Sequence, residues 1–278
     1  MAVAGTGNLQ RVHPVPNTGF ARAYLIEGDQ GLMAVDVGSI GCAQDIADYI
    51  HHNLSRTVDD LSYITATHFH IDHIGGIGHL LAMCPPRTRV LFHVPVKDYL
   101  TGKKKISVIR NWFVGIPSAT MVSARYLRRF SHLAVESLVG IPLPGLRGIV
   151  RLPFSTDRIR YFGDAYEKDS SLEDFGFGEW SAVRTPGHTE DSVCFYNGRT
   201  AELISGDLIV NISADGTGEV NRFCWNRERI RESYEYLCET INPVRIYPGH
   251  GEVITGGART LSQVRDVVHE RKARSLSN

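Results

Sequence analysis

THFHIDHIGG, residues 67–76, places three imidazoles and a carboxylate within six residues, directly after the short apolar run YITA at residues 63–66. These side chains belong to His68, His70, Asp72 and His73. A cluster of ionisable groups is costly in a protein core and has no structural use at a surface. Because imidazole nitrogen and carboxylate oxygen suit a borderline divalent ion such as zinc, the stretch predicts a metal site at the end of a strand.

Three more ligand-type residues each follow a short apolar run and a small-residue turn. They are His188 after VRTPG (183–187), Asp207 after LISG (203–206) and His250 after RIYPG (245–249). Strand ends at one edge of a sheet converge, and functional groups tend to lie in the loops there. Since zinc takes about four ligands, the seven residues together predict two divalent ions.

Composition narrows the class of protein. The 278-residue chain has 30 Lys and Arg against 30 Asp and Glu, so its net charge gives no support for a nucleic-acid partner. Its five cysteines are odd in number and widely spaced, which favours a reducing compartment. We see no apolar run long enough for a membrane span and no signal peptide in the sequence. We therefore expect a cytoplasmic protein.

Apolar periodicity predicts alternating strands and helices, which is typical of the α/β class. Strands are expected at 23–26, 32–37, 63–67, 89–93, 181–185, 193–196, 201–205 and 245–247. Helices are expected at 42–54, up to 79–83, at 227–241 with Asn226 as the N-cap, and from Thr260 with Leu261, Val264 and Val268 facing inward.

The motifs THFHIDHIGG, TPGHTEDS, SGD and YPGH, in this order and at these separations, resemble those of the metallo-β-lactamase superfamily. Asp36, in AVDVG, matches the aspartate of the family's first motif. The resemblance covers about residues 15–95 and 180–255. It implies a single domain over residues 1–278 with an αββα sandwich, in which two sheets lie face to face between helices and the metals lie at one edge.

The resemblance also implies a role for each motif residue. His68, His70 and His188 would bind the first metal, Asp72, His73 and His250 the second, and Asp207 would bridge them. Asp36 would lie behind the ligands and steady the histidine-rich loop. Asp72 and Asp207 are the candidate catalytic residues, because their charges offset part of the charge of the two ions. Zinc is the expected metal, while iron and manganese occupy the same ligands in relatives.

Such a site predicts hydrolysis of a small-molecule substrate. A metal-bridging hydroxide would attack an ester-like carbonyl, in a lactone, ester or thioester with an apolar portion. Asp207 is typical of the glyoxalase II-like, lactonase and phosphodiesterase branches, but the 28 residues after His250 are few for the helical C-terminal domain of glyoxalase II-type thioesterases. Two alternatives stay open: a phosphodiesterase or nucleic-acid hydrolase with the same metals, and a metal-containing protein whose main role is binding or regulation.

The segment 97–164 lies between the second and third motifs, and we expect it to form a helical cap over the metal edge. A helix is expected from Ser118 to Gly140, with an apolar stripe formed by Val122, Tyr126, Leu127, Phe130 and Leu133. A shorter helix is expected at 108–114. The alternatives are a helical pair remote from the site and a dimerisation surface, which would make a homodimer.

Two acidic residues lie two and three positions after His188 in the third motif. Glu190 and Asp191 are expected either to cap the next turn or to line the mouth of the pocket.

Overall fold

The chain alternates strands with helices. The computed structural model of the chain describes residues 12–104, 129–136, 152–163, 171–212, 216–257 and 260–266. The strands, numbered in chain order, are β1 Val12–Val15, β2 Ala23–Gly28, β3 Gly31–Val35, β4 Leu61–Thr65, β5 Arg89–His93, β6 Ile159–Phe162, β7 Leu172–Phe177, β8 Trp180–Arg184, β9 Val193–Asn197, β10 Glu202–Gly206, β11 Ile209–Val210, β12 Glu219–Val220, β13 Arg245–Pro248 and β14 Ile254–Thr255. The α-helices are α1 Ile40–Leu54, α2 Ile71–Ile74, α3 Ile77–Met83, α4 Val96–Leu100, α5 Arg227–Thr240 and α6 Thr260–Gln263. Short 3-10 helices lie at Val58–Asp60, Phe130–His132 and Thr156–Arg158.

The strands form two six-stranded sheets and a two-stranded ribbon. The first sheet has the order β1-β2-β3-β4-β5-β6, the second has the order β14-β13-β10-β9-β8-β7, and β11 pairs with β12. From β3 to β6 the neighbouring strands of the first sheet run parallel, and in the second sheet β10 runs parallel to β13. Parallel pairing places the carboxyl ends of neighbouring strands at the same edge. The ligand-type residues follow these ends.

Three apolar cores separate four layers. On the outer face of the first sheet, α1 and α3 contribute Ile46 and Leu80 to one core. The two sheets pack face to face through a second core that includes Met33 and Phe195. On the outer face of the second sheet, α5 contributes Leu237 to the third. The layer order is helix, sheet, sheet, helix, so the predicted αββα sandwich is confirmed.

The inner strands are buried on both faces, which explains why the sequence shows them as unbroken apolar runs. In β3, Leu32 and Ala34 belong to the core under α1, whereas Met33 and Val35 belong to the core between the sheets. This alternation follows from the two-residue period of a strand. A register shift of one residue would exchange the two sets of side chains, so the packing holds the register.

Most predicted elements are present, with ends displaced by one or two residues. The bounds of β5 are those predicted, and the other predicted strands correspond to β2, β3, β4, β8, β9, β10 and β13. At the start of α5, the side chain of Asn226 accepts hydrogen bonds from the backbone N–H groups of Glu228 and Arg229, as expected of an N-cap. Six strands are additional to the predicted set: β1, β6, β7, β11, β12 and β14.

The predicted helix from Ser118 to Gly140 is wrong in the part that the structure describes. Residues 129–136 contain a 3-10 turn, and Arg129 before it has an extended backbone with φ −144° and ψ 152°. Phe130 and Leu133, two members of the predicted apolar stripe, are 90% and 63% exposed. The rest of this helix and the one expected at 108–114 lie outside the described residues.

Contacts with the first layer of helices explain why residues 129–136 are not helical. The backbone N–H of Ile40, at the start of α1, donates to the carbonyl of Ala134 over 2.9 Å. The backbone N–H of Glu136 donates to the carbonyl of Gly75, directly after α2, over 2.7 Å. Because these backbone groups bond to other elements, they do not form the hydrogen bonds of a helix. The segment lies against the ends of α1 and α2.

The C-terminal helix is shorter than predicted. It ends at Gln263, and Arg265 pairs with Glu219 in a parallel bridge. Leu261 and Val264 are buried, as expected, while Val268 lies outside the described residues. In the part of the chain described here, none of the helices combines the length and the apolar character needed to cross a membrane.

Candidate metal centre

The seven predicted ligands lie in connections at one edge of the two sheets. His68 and His70 follow β4, Asp72 and His73 belong to α2, and His188, Asp207 and His250 follow β8, β10 and β13. Their ligand atoms form three overlapping groups, each within 4.8 Å: His68 with His70 and His188, His68 with His73 and Asp207, and Asp72 with His73 and His250. The structure therefore brings all seven residues together. Metal binding by them stays a prediction.

Three imidazoles turn ring nitrogens toward one another in the first group. Nδ1 of His70 lies 2.9 Å from Nε2 of His68 and 3.1 Å from Nε2 of His188. Nε2 of His188 in turn lies 3.3 Å from Oδ2 of Asp207. Ligands about 2.0 to 2.2 Å from a tetrahedral zinc ion are separated by roughly 3.3 Å from one another. These donors are therefore spaced as the ligands of one ion would be.

Asp207 also faces the second group. Its Oδ1 lies 3.4 Å from Nε2 of His73, and its Oδ2 lies 3.2 Å from Nε2 of His250. Oδ2 of Asp72 lies 3.5 Å from Nε2 of His250 and 3.9 Å from Nε2 of His73. Asp207 thus lies between the two groups, in the position expected of a bridging ligand.

Two buried polar atoms indicate that a cation fits here. Nε2 of His73 and Oδ1 of Asp207 have no hydrogen-bond partner among the residues that the structure describes. An unpaired buried polar group costs about 1 to 3 kcal/mol. A divalent ion would satisfy both atoms, and the nitrogen and oxygen donors suit zinc, iron or manganese.

Most of the histidines are held from behind at the second ring nitrogen. Nδ1 of His68 lies 3.1 Å from Oγ1 of Thr67, Nδ1 of His250 donates to the carbonyl of Phe20 over 3.1 Å, and Nδ1 of His188 donates to the carbonyl of Phe223. Such contacts fix the tautomer and the orientation of a ligating imidazole. They leave Nε2 of each ring free to face the site.

Asp36 lies behind the histidine-rich loop, as the resemblance implies. Its Oδ2 lies 3.0 Å from Nδ1 of His73, and its Oδ1 accepts a hydrogen bond from the backbone N–H of Thr67 over 2.7 Å. The backbone of Asp36 is left-handed, with φ 61°. Aspartate adopts this conformation more readily than most residues do. One carboxylate therefore holds both a ligand and the loop that carries two others.

Burial and neighbouring charges set the protonation of the metal-free site. Burial lowers the pKa of His70 to about 3, and it also lowers the pKa of His68 and His188. These three imidazoles are neutral at pH 7, which is the form that binds a metal. At His73 and His250 burial acts in the same direction, but the nearby carboxylates outweigh it and raise the pKa.

Asp191, expected to cap a turn or to line the pocket mouth, lies behind the histidine-rich loop instead. It is 1% exposed, and its Oδ2 accepts a hydrogen bond from the backbone N–H of Phe69 over 2.7 Å. The hydroxyl of Tyr99 donates to its Oδ1 over 3.3 Å. Burial raises the pKa of Asp191 to about 6. An acidic residue two positions before the apolar run of β9 is the sequence signal that could have identified a buried carboxylate.

Two glycines let the ligand-bearing turns approach one another. Gly206 has φ +49°, and a Cβ there would lie 2.5 Å from Oγ1 of Thr67. A Cβ at Gly249 would lie 2.1 Å from Oδ1 of Asp207. A larger residue at either position would displace a turn of the site.

Among the carboxylates, Asp72 is the one open to solvent. Its side chain is 33% exposed, whereas that of Asp207 is 6% exposed. His70 beside it is half-buried, while the other histidines of the site are buried. A substrate would therefore approach from the side of His70 and Asp72.

Aromatic side chains lie next to both groups. The ring of Phe20 is 4.1 Å from that of His250, centroid to centroid. Near His188, the backbone of Phe223 and Trp225 contacts this ligand, and the side chains of both residues are partly exposed. Aromatic residues outside the segment 97–164 thus lie next to the ligands.

Comparison with known families gives a match to the first part of the chain. Residues 16–91 match the model of the metallo-beta-lactamase superfamily. The matched range contains Asp36 and the four ligands from His68 to His73. Over this range the chain is similar to the metallo-β-lactamase superfamily. The resemblance of its motifs to this superfamily is confirmed.

Two curated relatives align with most of the chain. A Bacillus subtilis protein named "Probable metallo-hydrolase YqjP" is 22% identical over 84% of this chain and 67% of its own length. A Caenorhabditis elegans protein, "Beta-lactamase-like protein 2 homolog", is 22% identical over 90% of this chain and 61% of its own length. The chain thus spans about two thirds of the length of these relatives. Together with the superfamily, they support a metal-dependent hydrolase.

The likeness to glyoxalase II-like enzymes is partial. A hydroxyacylglutathione hydrolase of Francisella tularensis is 30% identical to this chain, but over 31% of the chain and 33% of its own length. Among solved structures, a chemotaxis sensor described as a peroxy diiron species has the same fold, with a TM-score of 0.53 and 14% identity over 100% of this chain and 95% of its own. This structure of the same fold thus holds iron.

Proposed function

We propose that this protein is a hydrolase with two divalent metal ions that cleaves an ester-like carbonyl compound with an apolar portion, namely a lactone, an ester or a thioester. The position of Asp207 carries the proposal. Its Oδ1 faces His73, and its Oδ2 faces His188 and His250. A carboxylate between two groups of donors supports two ions that share it, and this arrangement uses all seven residues.

Two divalent ions at this position would generate a nucleophile from water near neutral pH and polarise the oxygen of the substrate. The carboxylate oxygens of Asp207 lie 3.2 to 3.4 Å from imidazole nitrogens of both groups. Asp36 keeps His73 in one orientation through its Nδ1. Asp72, at the open side of the site, can accept the proton that the attacking water releases.

The substrate class is supported by the residues beside the ligands. Phe20 covers one face of His250, and Phe223 and Trp225 lie on the loop that contacts His188, with exposures of 36% and 42%. Large aromatic side chains bind apolar groups well because they bury much area. These residues favour a carbonyl substrate with an apolar portion over a phosphodiester.

Zinc is our first choice of metal, because nitrogen and oxygen ligands in groups of three or four are typical of catalytic zinc. Iron is the main alternative. We also propose a cytoplasmic location, in a reducing compartment. Its support is that all five cysteines are free thiols, of which Cys42, Cys84, Cys194 and Cys224 are buried.

Elemental analysis followed by a hydrolysis screen tests the proposal. We expect two equivalents of metal per chain in protein expressed without added metal. We further expect hydrolysis of p-nitrophenyl esters and lactones that a chelator abolishes and the metal restores. The variant Asp207→Asn should lose this activity.

Two results would contradict the proposal. Cleavage of bis-p-nitrophenyl phosphate without cleavage of any carboxylic ester would indicate a phosphodiesterase. Tight metal binding without turnover of any substrate class would indicate a binding or regulatory protein.

A further inference from the structure

We infer that Asp191 is a positioning residue for the first group of ligands, His68, His70 and His188. The inference rests on the proposed function, since it concerns the metal site of that hydrolase. It starts from the loop of residues 66–70, which we call the ligand loop. This loop carries His68 and His70 and contains neither strand nor helix.

The backbone amide between the two ligands is the one that Asp191 binds. Phe69 lies between His68 and His70, and its N–H donates to Oδ2 of Asp191 over 2.7 Å. Both Phe69 and Asp191 are 1% exposed, so water does not compete for this bond. A hydrogen bond from a backbone N–H to a carboxylate is roughly twice as strong as one between neutral groups. Its direction fixes the plane of the peptide between His68 and Phe69, and thereby the course of the backbone that carries His68 and leads to His70.

Asp191 has a counterpart on the other side of the loop. Asp36, which follows β3 of the first sheet, accepts the N–H of Thr67 over 2.7 Å, two residues before Phe69. Asp191 lies two residues before β9 of the second sheet, where the N–H of Val193 donates to the carbonyl of Thr67 over 2.8 Å. The two sheets therefore hold alternate amides of the ligand loop through buried carboxylates. These carboxylates accept the hydrogen bonds of backbone N–H groups that the carbonyl groups of a neighbouring strand would otherwise accept.

The other oxygen of Asp191 is also bound, which limits rotation of the carboxylate. The hydroxyl of Tyr99 in α4 donates to Oδ1 over 3.3 Å. Nδ1 of His93 donates to the backbone carbonyl of Asp191 over 2.9 Å. Held at its side chain and its backbone, Asp191 presents Oδ2 to Phe69 in one geometry.

The second group of ligands does not depend on this contact. Asp72 and His73 lie on α2, where the N–H of Val37 donates to the carbonyl of His73 over 2.8 Å and Asp36 holds the ring. Loss of the Asp191 carboxylate should therefore lower the affinity for one of the two metal ions and leave the affinity for the other unchanged. A change that merely destabilises the fold would affect both ions or neither.

Stepwise chelator competition against the Co²⁺-loaded protein tests the inference, with the visible absorption of Co²⁺ as a reading of ligand geometry. In Asp191→Ala we expect the affinity for one ion to fall by about 10- to 100-fold with an altered spectrum, and the affinity for the other ion to stay within about threefold. Asp191→Asn keeps an oxygen that can accept from Phe69, so it should retain most of the affinity. Tyr99→Phe removes the hydrogen bond to Oδ1 but leaves the Phe69 contact in place, so it should lower the affinity for the same ion by less than Asp191→Ala does.

Thr88→Val is the matched control, because Thr88 is buried and its hydroxyl donates to the carbonyl of Leu61 over 2.7 Å, away from the ligands. It should lower stability without changing either affinity. If wild-type protein binds two ions and Asp191→Ala binds both equally well, the inference is wrong and the proposed function stands. If wild-type protein binds no ion, both fail. Should Asp191→Ala not fold, Asp191→Asn decides. A small loss of affinity confined to one ion, with an altered spectrum, would support the inference. Unchanged affinity and spectrum, or an equal loss for both ions, would overturn it.

Discussion

Oδ2 of Asp36 lies 3.0 Å from Nδ1 of His73, and both side chains are fully buried. The contact leaves Nε2 of His73 facing Asp207 and Asp72. A carboxylate at the second nitrogen of a ligating histidine fixes the tautomer and makes the ring a stronger ligand. Asp36 also binds the ligand loop through Thr67. Orientation of the second group and of the loop therefore depends on the same buried carboxylate.

Replacing Asp36 with Asn should weaken the metal site. Asparagine tolerates the left-handed backbone at this position, so the change acts on charge and hydrogen bonding more than on backbone conformation. We expect metal affinity and the proposed hydrolysis to fall by about 10- to 100-fold. The measurement is chelator competition on purified protein, with Asp29→Asn in an exposed turn as the control. Equal affinities for the two variants would contradict the role of Asp36.

In the metal-free protein, the free energy of unfolding should depend on pH, and His70 should contribute to this dependence. Burial holds the pKa of this imidazole at about 3 in the folded chain, below the value of about 6.5 that it has when unfolded. Between these values the unfolded chain binds a proton that the folded chain does not. The contribution of His70 is therefore complete above about pH 6.5 and is lost as the pH falls toward 3.

Comparison of metal-free wild type with His70→Gln isolates this effect, since other titrating groups are shared. We expect the free energy of unfolding, from urea titrations at a series of pH values, to fall more steeply with decreasing pH in the wild type. Parallel curves would show that His70 is not desolvated. In the metal-loaded protein the melting temperature should rise at neutral pH, because an ion that binds only the folded chain stabilises it.

The ligand residues and the main strands could be read from the sequence because both leave a local pattern. His68 to His73 form one compact motif, and β5 is bounded by polar and turn residues. Such signals involve neighbours in the chain. The convergence of four strand ends followed from the resemblance and from the rule that parallel strands end at one edge.

Asp191 and His132 could not be assigned in the same way. Asp191 binds a backbone N–H 122 residues away, at Phe69, and a backbone partner leaves no trace in side-chain periodicity. His132 falls within the predicted helix from Ser118 to Gly140, yet it is buried against α1, where its Nε2 lies 3.3 Å from Oδ2 of Asp45. In both cases tertiary contacts outweighed the local preference.

Replacing Trp225 with Ala should alter selectivity for the apolar portion of the substrate. Trp225 is 42% exposed, and its backbone N–H donates to the carbonyl of His188 over 3.0 Å. Across p-nitrophenyl esters of increasing acyl length, we expect KM to rise for the long chains by about tenfold, which corresponds to about 1.4 kcal/mol of lost apolar contact. For acetate esters kcat/KM should change little.

Phe130→Ala is the control for this series, since Phe130 is a 90% exposed aromatic residue of the segment 97–164. An effect of Phe130→Ala alone would place the apolar contact in that segment, as the sequence suggests, and would contradict a role for Trp225. An effect of neither variant would argue against an aromatic site for the acyl group.

Replacing Asp45 with Asn should loosen the attachment of residues 129–136 to α1. Nη2 of Arg129 lies 2.7 Å from Oδ1 of Asp45, and the largely buried Asp45 also faces His132. Because Arg129 is 44% exposed, its ion pair is screened by solvent, and we expect a loss of about 1 kcal/mol in the local free energy of opening. That loss raises the open population roughly fivefold. Trypsin should then cleave near Arg129 roughly fivefold faster under conditions in which opening is at equilibrium. Asp48→Asn, an exposed acid on the same helix, is the matched control, and equal cleavage rates for the two variants would show that Asp45 does not hold the segment.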